Sequence, residues 1–282
     1  MLLTIDDYKN HLPSNTIADA NKFMAFESRA MFKYFRRYIG DALYADLLGD
    51  EPYPDLLDKL KPALVNFAYL ESIPFFNLLL TSTGYGVVSN QNVAPASMDR
   101  VRDLKDACLA AANDGLNSLL LYLEGSDNNK WNKCSLLPGS LIPDTTIFNS
   151  VTRLDISRVV FVDIIPHIRN HEALTLANQL SDEFTRELAI ATDNKIKPLV
   201  QASLAYVAYH HFTHQPVFNK QGNPVPQEPK WLGLSDKYLK RAMAILNANP
   251  DAYPTYKTYG YEAPYDNAGN GAISMFIGGL TS

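Results

Sequence analysis

The sequence predicts a mainly α-helical protein made of two related multi-helix units. Apolar residues recur at intervals of three and four over long stretches, which is the spacing of a buried helix face. Turn-forming clusters of Gly, Pro, Ser and Asn separate these stretches. The pattern Lys-x-Lys-Pro followed by an apolar run also occurs twice, in DKLKPALVNFAYL from Asp58 and in NKIKPLVQASLAY from Asn194. Such internal self-similarity indicates a duplicated architecture.

The first predicted unit spans residues 1–125. Apolar periodicity and capping residues place its helices from Thr4 to Pro13, from Thr16 to Tyr38, from Pro54 to Leu80 and from Ser97 to Leu123. Pro62 and Pro74 lie inside the third helix, so a kink or a boundary is expected at each. The segment TSTGYGVVSNQNVAPAS before the last helix predicts a loop or a small β-hairpin, because it combines glycines, a Val-Val pair and a proline.

Residues 126–148 are rich in Gly, Pro, Ser and Asn and are predicted to link the units. The second unit, residues 149–250, repeats the order of the first. Its helices are expected from Thr152 to Ala191, from Asn194 to Tyr209 and from Ser235 to Asn249. The Gly/Pro loop FNKQGNPVPQEP precedes the last of them, so each unit carries such a loop or a small hairpin before its last helix.

Several landmarks of the first unit recur in the second at one constant separation along the sequence. They are Thr16 and Thr152, Asp19 and Asp155, Lys59 and Lys195, Lys61 and Lys197, Pro62 and Pro198, and Gly86 and Gly222. The caps Ser97 and Ser235 are only slightly further apart than these pairs. We interpret each Lys-x-Lys-Pro as a helix entry or kink whose lysines lie in solvent in a first helical turn.

Residues 251–282 are predicted to form an extended C-terminal tail without helical periodicity. The tail ends in apolar residues that a solvated terminus does not need, namely Ile273, Met275, Phe276 and Ile277. Extended apolar segments can dock in a groove or add to a sheet edge. Two roles remain open for this tail, a loose terminus and a segment that docks on its own chain or on a partner.

Composition sets limits on the class of protein. The chain has 282 residues, of which 46% are hydrophobic and 20% charged, and its apolar runs are too short to span a bilayer. The start MLLTIDDYKN has no basic flank, so we expect no secretory signal and a cytoplasmic origin. A net charge of −5 disfavours general nucleic-acid binding. The local basic cluster of Lys33, Arg36 and Arg37 is interpreted as a solvated helix face.

Histidine pairs provide the one constellation that is worth testing as a metal site. The candidates are His167 and His171, four residues apart, and His210 and His214, also four apart, with His211 beside them. Such pairs on facing helices can present imidazoles to zinc or a related ion. The HExxH arrangement is absent, so packing or surface roles are favoured, and no metal and no cofactor are predicted.

Other catalytic patterns are missing from the sequence. There is no GxSxG elbow and no GxxxxGK[ST] phosphate loop. Gly84-Tyr-Gly86 lacks the third glycine of a dinucleotide site and suits turn geometry. Cys108 and Cys134 form no CxxC pair, and we interpret them as reduced structural thiols. The sequence therefore predicts a protein that is not an enzyme.

Three stretches together resemble a known family. They are the opening LLTIDDYKNHLP, the loop GYGVVSNQNVAPAS between helices, and the leucine-rich helix that closes the first unit. In this order they resemble the helical head–tail connector (neck adaptor) proteins of tailed bacteriophages, and especially uncharacterised proteins of this type from Bacteroides-type phages and prophages. The resemblance covers residues 1–124, and the second half joins it only through the internal repeat.

The resemblance implies a structural virion protein that forms a homo-oligomeric ring between the portal and the tail or other neck proteins. DNA would pass nearby without sequence-specific binding, no membrane would be involved, and the protein would lie in the virion neck after assembly in the host cytoplasm. The motif Leu3-Thr4-x-Asp6-x-x-Lys9 corresponds to the family's opening helix, and residues 84–89 to its projecting loop. The implied partner contacts are Gly84, Tyr85, Gly86, Val87 and Val88, to which we add Met275, Phe276 and Ile277 of the tail.

The chain departs from the family in two respects. Simple connectors are about half as long, and a net negative charge is not what a general grip on DNA requires. Two other functions stay open. The first is a cytoplasmic helical scaffold or protein-interaction module. The second, less favoured, is a helical metal enzyme built on the histidine pairs.

Overall fold

The structure, a computed structural model, describes residues 2–12, 21–49, 53–76, 78–81, 84–87, 97–192, 194–214 and 230–256. Helices dominate these residues, so the predicted mainly α-helical class is confirmed. Within these ranges the β-strands form a single two-stranded hairpin. None of the helices described combines the length and the apolar character that crossing a bilayer requires.

The first unit opens with a short capped helix and closes with a long one. Its elements are α1 (Ile5–His11), α2 (Asn21–Met24), α3 (Glu27–Ala30), a first π turn (Met31–Phe35), α4 (Arg36–Ile39), α5 (Asp41–Leu47), α6 (Pro54–Phe76), β1 (Leu78–Thr81), β2 (Gly84–Val87) and α7 (Met98–Glu124). Thr4 caps α1 by accepting a hydrogen bond from the Asp7 N–H, while the Asp7 carboxylate accepts one from the Thr4 N–H. The Ser97 hydroxyl caps α7 in the same way.

The second unit has a similar series of elements. They are α8 (Thr145–Thr152), α9 (Arg158–His171), a second π turn (Glu172–Leu176), α10 (Ala177–Leu180), α11 (Asp182–Ile190), α12 (Lys197–Thr213), α13 (Lys230–Ala248) and a short 3-10 turn (Pro250–Ala252). Asp144 caps α8 by accepting from the Ile147 N–H, and Ser157 caps α9 by accepting from the Val160 N–H.

The same unusual backbone features occur once in each unit. A π turn joins α3 to α4 in the first unit and α9 to α10 in the second, and we call each such helix–π turn–helix run a rod. A sharp reversal ends each rod, at Gly40 with φ 81° and ψ 161° and at Ser181 with φ 73° and ψ 151°. A side chain is strained at such φ values, but the Ser181 hydroxyl accepts a hydrogen bond from the Phe184 N–H at 3.1 Å and caps α11.

Each unit is organised around one central helix. In the first unit α6 contacts α1, α3 and α7, and in the second unit α12 contacts the corresponding helices α8, α9 and α13. Residues 63–68 of α6 and 200–206 of α12 are buried on almost every side of the helix. A helix that is apolar on every side is stable in water only when other elements cover all of its faces.

The buried apolar residues form two cores that divide the chain near residue 134. One core extends from Leu3 to Trp131, and the other from Leu137 to Tyr256. The predicted linker 126–148 is therefore incorporated into the units. Its residues Trp131, Leu137, Leu141 and Ile142 are buried in these cores, and α8 crosses the predicted boundary at 148/149.

A partly buried junction joins the units. The Arg158 guanidinium pairs with Glu124 at 2.7 Å, and both side chains are less than one-fifth exposed. The Arg158 N–H also donates to the Asn117 side chain at 2.8 Å, which fixes the start of α9 against α7. Val159 and Val162 of α9 pack against the first core. Because polar and apolar contacts both cross it, this junction holds the two units in a defined arrangement.

Several predicted helix boundaries are wrong. Thr152 ends α8 instead of starting a helix, because Arg153 takes a left-handed φ of 59° and the chain turns before Ser157. Ser235 lies inside α13, where it is buried and bonds to Ser203 of α12, so it does not cap that helix. The helix α6 continues through Pro62 and Pro74 without a boundary, yet stops at Phe76 because β1 begins at Leu78.

The two copies of Lys-x-Lys-Pro also differ from the prediction. Pro62 lies in the middle of α6, whereas Pro198 lies in the first turn of α12. Lys61 pairs with Asp7 of α1 at 3.2 Å, and the Lys197 ammonium donates to the Ala189 and Ala191 carbonyls at 2.8 and 2.7 Å. Those carbonyls belong to the end of α11, where helical carbonyls have no partner within the helix. The second lysine of each copy therefore holds a neighbouring helix in place instead of lying in solvent.

The close approach of α6 and α7 gives a testable prediction about stability. A Cβ at Gly115 would lie 2.8 Å from the Ala63 backbone nitrogen, whereas a Cβ at Gly233 of α13 would meet nothing within 4 Å. We expect Gly115→Ala to lower the free energy of unfolding by about 1–2 kcal/mol, since overpacking outweighs the gain in helix propensity. Gly233→Ala, the control, should leave it unchanged or raise it by up to ~1 kcal/mol. Urea denaturation measures both, and an increase for Gly115→Ala would contradict the proposed close packing.

Candidate functional site

The predicted contact residues Gly84, Tyr85, Gly86 and Val87 form strand β2 of the hairpin. This strand pairs antiparallel with β1, with Leu78 opposite Val87 and Thr81 opposite Gly84. The small hairpin expected from the glycine-containing segment is thus present. Val88, the fifth predicted contact, lies outside the described residues, as do Met275, Phe276 and Ile277 of the tail.

We call the two strands of the hairpin and the first turns of α7 together the arm (78–81, 84–87 and 98–107). None of the residues 98–107 is buried, although they make up more than a third of α7. Met98 at the start of the helix is 87% exposed. Strand β1 contacts α6, and the helical residues of the arm are exposed or partly exposed to solvent.

The described beginning of the predicted tail is packed and not extended. Tyr253 and Tyr256 contact the ring of Phe184 in α11, and the Tyr256 hydroxyl donates to the Asn247 side chain at 3.0 Å. Tyr256 is 2% exposed and belongs to the second core. The prediction of an extended tail is therefore wrong for residues 251–256, since these aromatic side chains cover the end of the core.

The basic cluster predicted as a solvated helix face is exposed but paired with acids. Lys33 contacts Glu71 at 2.5 Å, Arg36 contacts Asp41 at 2.5 Å, and Arg37 contacts Asp163 of the second unit. These pairs leave little positive charge in the cluster for phosphate groups, and phosphate contacts dominate general nucleic-acid binding. The cluster is thus exposed, as predicted, and each of its three cations lies beside an acid.

Glu71 is the centre of a polar network that the sequence did not reveal. It lies on α6 with 8% of its surface exposed, and it accepts hydrogen bonds from Lys33 and from the Tyr34 hydroxyl at 2.5 and 2.6 Å. Arg29 approaches its other oxygen at 2.7 Å. Burial would raise the pKa of Glu71, but these hydrogen bonds and the cation charges lower it, so the carboxylate stays ionised. The network ties the first rod to α6 and is structural.

The structure brings the predicted histidines together. His167 and His171 on α9 face His211 on α12, with ring centroids 6.4 and 4.8 Å from the His211 ring. His210 stacks on His214 at 4.0 Å and contacts His211 edge-on at 5.3 Å. We call these five residues the histidine cluster. It contains all but one of the chain's six histidines.

The geometry of the cluster does not suit a metal ion. The rings of His167 and His171 lie nearly parallel to the His211 ring, at 19° and 29°. The nitrogen lone pairs of an imidazole lie in the ring plane, so stacked rings do not direct them to one point. Within the part of the chain that the structure describes, no group of three or more His, Cys, Asp or Glu side chains is arranged to hold a metal.

The cluster instead favours neutral imidazoles. Burial, together with the neighbouring His211 and His167, lowers the pKa of His171 to about 4. Burial and neighbouring histidines also lower the pKa values of His210 and His211. The His171 ring makes a hydrogen bond with Thr175 at 3.1 Å, which fixes its orientation. Near neutral pH His171, His210 and His211 are thus uncharged where α9 contacts α12.

Both cysteines are free thiols, and Cys134 is less buried than Cys108. Cys108 on α7 is buried, and burial raises its pKa. Cys134 donates to the Tyr38 carbonyl at 2.9 Å, and burial raises its pKa to about 12. A thiol with a raised pKa is a poor nucleophile at neutral pH. This environment matches the predicted structural role of these residues.

The histidine cluster predicts how stability depends on pH. An unfolded histidine titrates near 6.5, but the folded pKa values of His171, His210 and His211 lie lower, so the unfolded chain binds more protons than the folded chain just below pH 6.5. The free energy of unfolding is expected to be highest above pH 6.5 and to decrease as the pH drops toward 4. Each proton contributes a slope of at most about 1.4 kcal/mol per pH unit.

Urea midpoints between pH 4 and pH 7 measure this dependence. His171→Gln should flatten the pH dependence, because the amide side chain does not titrate. An equally steep dependence in His171→Gln would contradict the assignment.

Comparison with known proteins assigns a family match to the first unit alone. Residues 30–136 match a family described as "Family of unknown function (DUF6712)". The match begins at the end of α3 and includes Trp131, the last buried residue of the first core. It covers less than half of the chain. No curated protein and no solved structure matches the chain.

Proposed function

We propose that this chain is a structural subunit of the head–tail connector, or neck, of a tailed bacteriophage, and that its two units arose by internal duplication. The observation that carries the proposal is the repeated order of helices around two covered central helices, α6 and α12. It is supported by the resemblance of residues 1–124 to neck adaptor proteins. In this role the protein acts by assembly and needs no catalytic group.

A ring subunit needs a body that keeps its shape, and the junction between the units supplies one. The Arg158–Glu124 pair, the Asn117 hydrogen bond and the Arg37–Asp163 pair all link residues of different units. Identical subunits that contact head to tail close into a ring only when each contact adds the same fixed rotation. A rigid two-unit wedge meets that requirement better than two units on a flexible linker.

The arm supplies a surface for a neighbouring component. Its helical residues 98–107 are not buried, and its two strands have edges whose backbone groups can pair with another chain. A portal or tail protein is the expected partner of this surface. The proposal therefore assigns assembly contacts to Gly84, Tyr85, Gly86 and Val87 through their strand.

The charge distribution agrees with a passage for DNA that does not retain it. The net charge is −5, and the basic residues Lys33, Arg36 and Arg37 are paired with carboxylates. Proteins bind DNA without sequence preference when unpaired Lys and Arg displace counterions from phosphates. The paired cluster of Lys33, Arg36 and Arg37 would therefore hold DNA less firmly than three unpaired cations would.

Electron microscopy of the protein mixed with purified portals tests the proposal. We expect rings on the portal, or decoration of its tail-facing end, while the isolated protein can remain monomeric until the portal templates assembly. A helical scaffold or interaction module unrelated to virions would leave the portals bare. Persistent failure to form or decorate rings would therefore count against the connector role and in favour of that alternative.

A charged substitution on the arm, compared with one at an equally exposed site elsewhere, tests whether the arm contacts the portal. Met98 on the arm is 87% exposed, and Ile190 at the end of α11 is 82% exposed, so both tolerate a charge in the isolated protein. Met98→Glu should reduce portal decoration by tenfold or more in binding strength, which is about 1.4 kcal/mol. Ile190→Glu should leave binding unchanged, and neither change should shift the urea midpoint. Equal binding by both variants would exclude the arm as the portal contact.

A further inference from the structure

A row of unpaired cations lies along one side of α13. Lys230, Lys237 and Arg241 are seven and four residues apart, a spacing that places them on the same side of a helix. All three are exposed, and none of them has an ion pair with a described residue. The nearby Lys240 differs, since it pairs with Asp236 at 2.6 Å. We call the three unpaired cations the basic face.

A row of unpaired carboxylates lies along α7 of the first unit. Asp103, Asp106 and Asp114 are exposed, on the side of the helix opposite its buried residues. Arg102, the cation nearest to them on this side, pairs with Asp99 at 3.0 Å. None of the three carboxylates has an ion pair with a described residue. We call them the acidic face.

The two faces match when the helices run antiparallel. Each face spans eleven residues from its first charge to its last, which is about 16.5 Å along a helix axis. The residues that then lie opposite each other are Lys230 and Asp114, Lys237 and Asp106, and Arg241 and Asp103. The middle pair is offset by one residue, or about 1.5 Å along the axis. Every cation of the basic face thus has a carboxylate opposite it.

Small residues between the charges allow the two helices to approach closely. Ala107, Ala110 and Ala111 of α7 are exposed, as are Gly233 and Ala244 of α13. The distance between packed helices depends on the side chains at their contact, so alanine and glycine permit a short one. The space beside Gly233 is open, because a Cβ there would meet nothing within 4 Å.

Charge and spacing together select the partner of the basic face. The two faces do not meet within one chain, since the charged residues of both are exposed and have no ion pair with a described residue. A phosphate backbone also attracts unpaired cations, but three of them on a chain of net charge −5 give it little affinity. The matching row of carboxylates favours a second copy of this chain.

We propose that the basic face of one copy binds the acidic face of a second copy, with α13 antiparallel to α7. The faces belong to different units, so the contact is heterologous and every copy offers both of them. The inference rests on the proposed connector assembly and names the contact between its neighbouring subunits. Exposed ion pairs contribute little individually, so the contact is weak between free copies and is screened by salt.

This contact leaves another side of the arm open for the portal. Asp103 and Asp106 belong to the arm, but Met98 lies about 140° and 80° around the helix from them. A portal protein and a neighbouring copy can therefore use different sides of α7.

A charge-swap experiment tests the pairing. One variant carries Lys237→Glu and Arg241→Glu, and the other carries Asp103→Lys and Asp106→Lys. In sedimentation at high protein concentration and low salt, each variant alone should self-associate at least about tenfold more weakly than the natural chain, because like charges then face each other. An equimolar mixture should restore association, since the reversed α13 of one variant then meets the reversed α7 of the other.

A matched control separates the pairing from the change in net charge. Arg186→Glu with Lys195→Glu reverses two exposed cations of the second unit outside the basic face and should leave self-association unchanged. Absent association of the natural chain, unchanged association of the α13 variant, or no recovery in the mixture would overturn the proposal. Association that stops at a dimer would also overturn it, because a heterologous contact leaves a free face at each end.

Zero-length cross-linking identifies the residues in contact. Chains with normal and with heavy nitrogen are mixed without portal and treated with a carbodiimide, which joins a Lys ammonium to a carboxylate only when the two touch. Links from Lys237 to Asp106 and from Lys230 to Asp114 that join light and heavy chains are expected. Links confined to one chain would overturn the contact between copies.

Binding of a fluorescent DNA duplex tests the other anionic partner. We expect weak binding that Lys237→Glu with Arg241→Glu changes no more than the control variant does. Firm binding that only the α13 variant loses, without links between light and heavy chains, would assign the basic face to DNA and overturn the proposal.

The two proposals can fail separately. Rings on portals without mixed cross-links would overturn the pairing of the faces and leave the connector role intact. Mixed cross-links and recovery in the charge swap without any portal decoration would support the pairing and contradict the connector role.

Discussion

The structure depends on the burial of two central helices. Residues 63–68 of α6 and 200–206 of α12 present mostly small and apolar side chains around the helix, so each helix requires neighbours on all sides. In both units three corresponding contacts meet this need, from the opening helix, the rod and the closing helix. The closing helices approach the central helices closely. Gly115 of α7 lies against Ala63 of α6, and the Ser235 hydroxyl of α13 contacts that of Ser203 of α12.

Carboxylates fix the start of each unit against its rod. In the first unit Glu27, 4% exposed, accepts hydrogen bonds from the N–H groups of Leu2 and Leu3. In the second unit Glu172 accepts from the Leu141 N–H and the Ser140 hydroxyl, both at 2.7 Å. Burial raises the pKa of Glu172, which is the usual result when a carboxylate is removed from water. Each core thus begins with a non-helical segment whose N–H groups are held by a carboxylate of the rod.

Local signals in the sequence were sufficient for some elements and insufficient for others. The caps Thr4 and Ser97 and the hairpin after α6 were predictable because their chemistry is contained within a few neighbouring residues. Ser235 looked like a cap, and only the close approach of α12 explains its burial. Pairs such as Arg158 with Glu124 or Glu71 with Lys33 join residues that are far apart in the sequence, so no local pattern indicates them. The histidine spacing identified the cluster, but its stacked geometry depends on how α9 faces α12.

The segments that lie beside the two rods come from different parts of the chain. Beside the second rod lies the stretch that follows the first unit, and its Leu141 N–H donates to Glu172 of that rod. Beside the first rod lie Leu2 and Leu3, whose N–H groups donate to Glu27. The chain therefore passes directly from the first core into a place beside the second rod, and this passage, together with the Arg158–Glu124 pair, fixes the second core against the first.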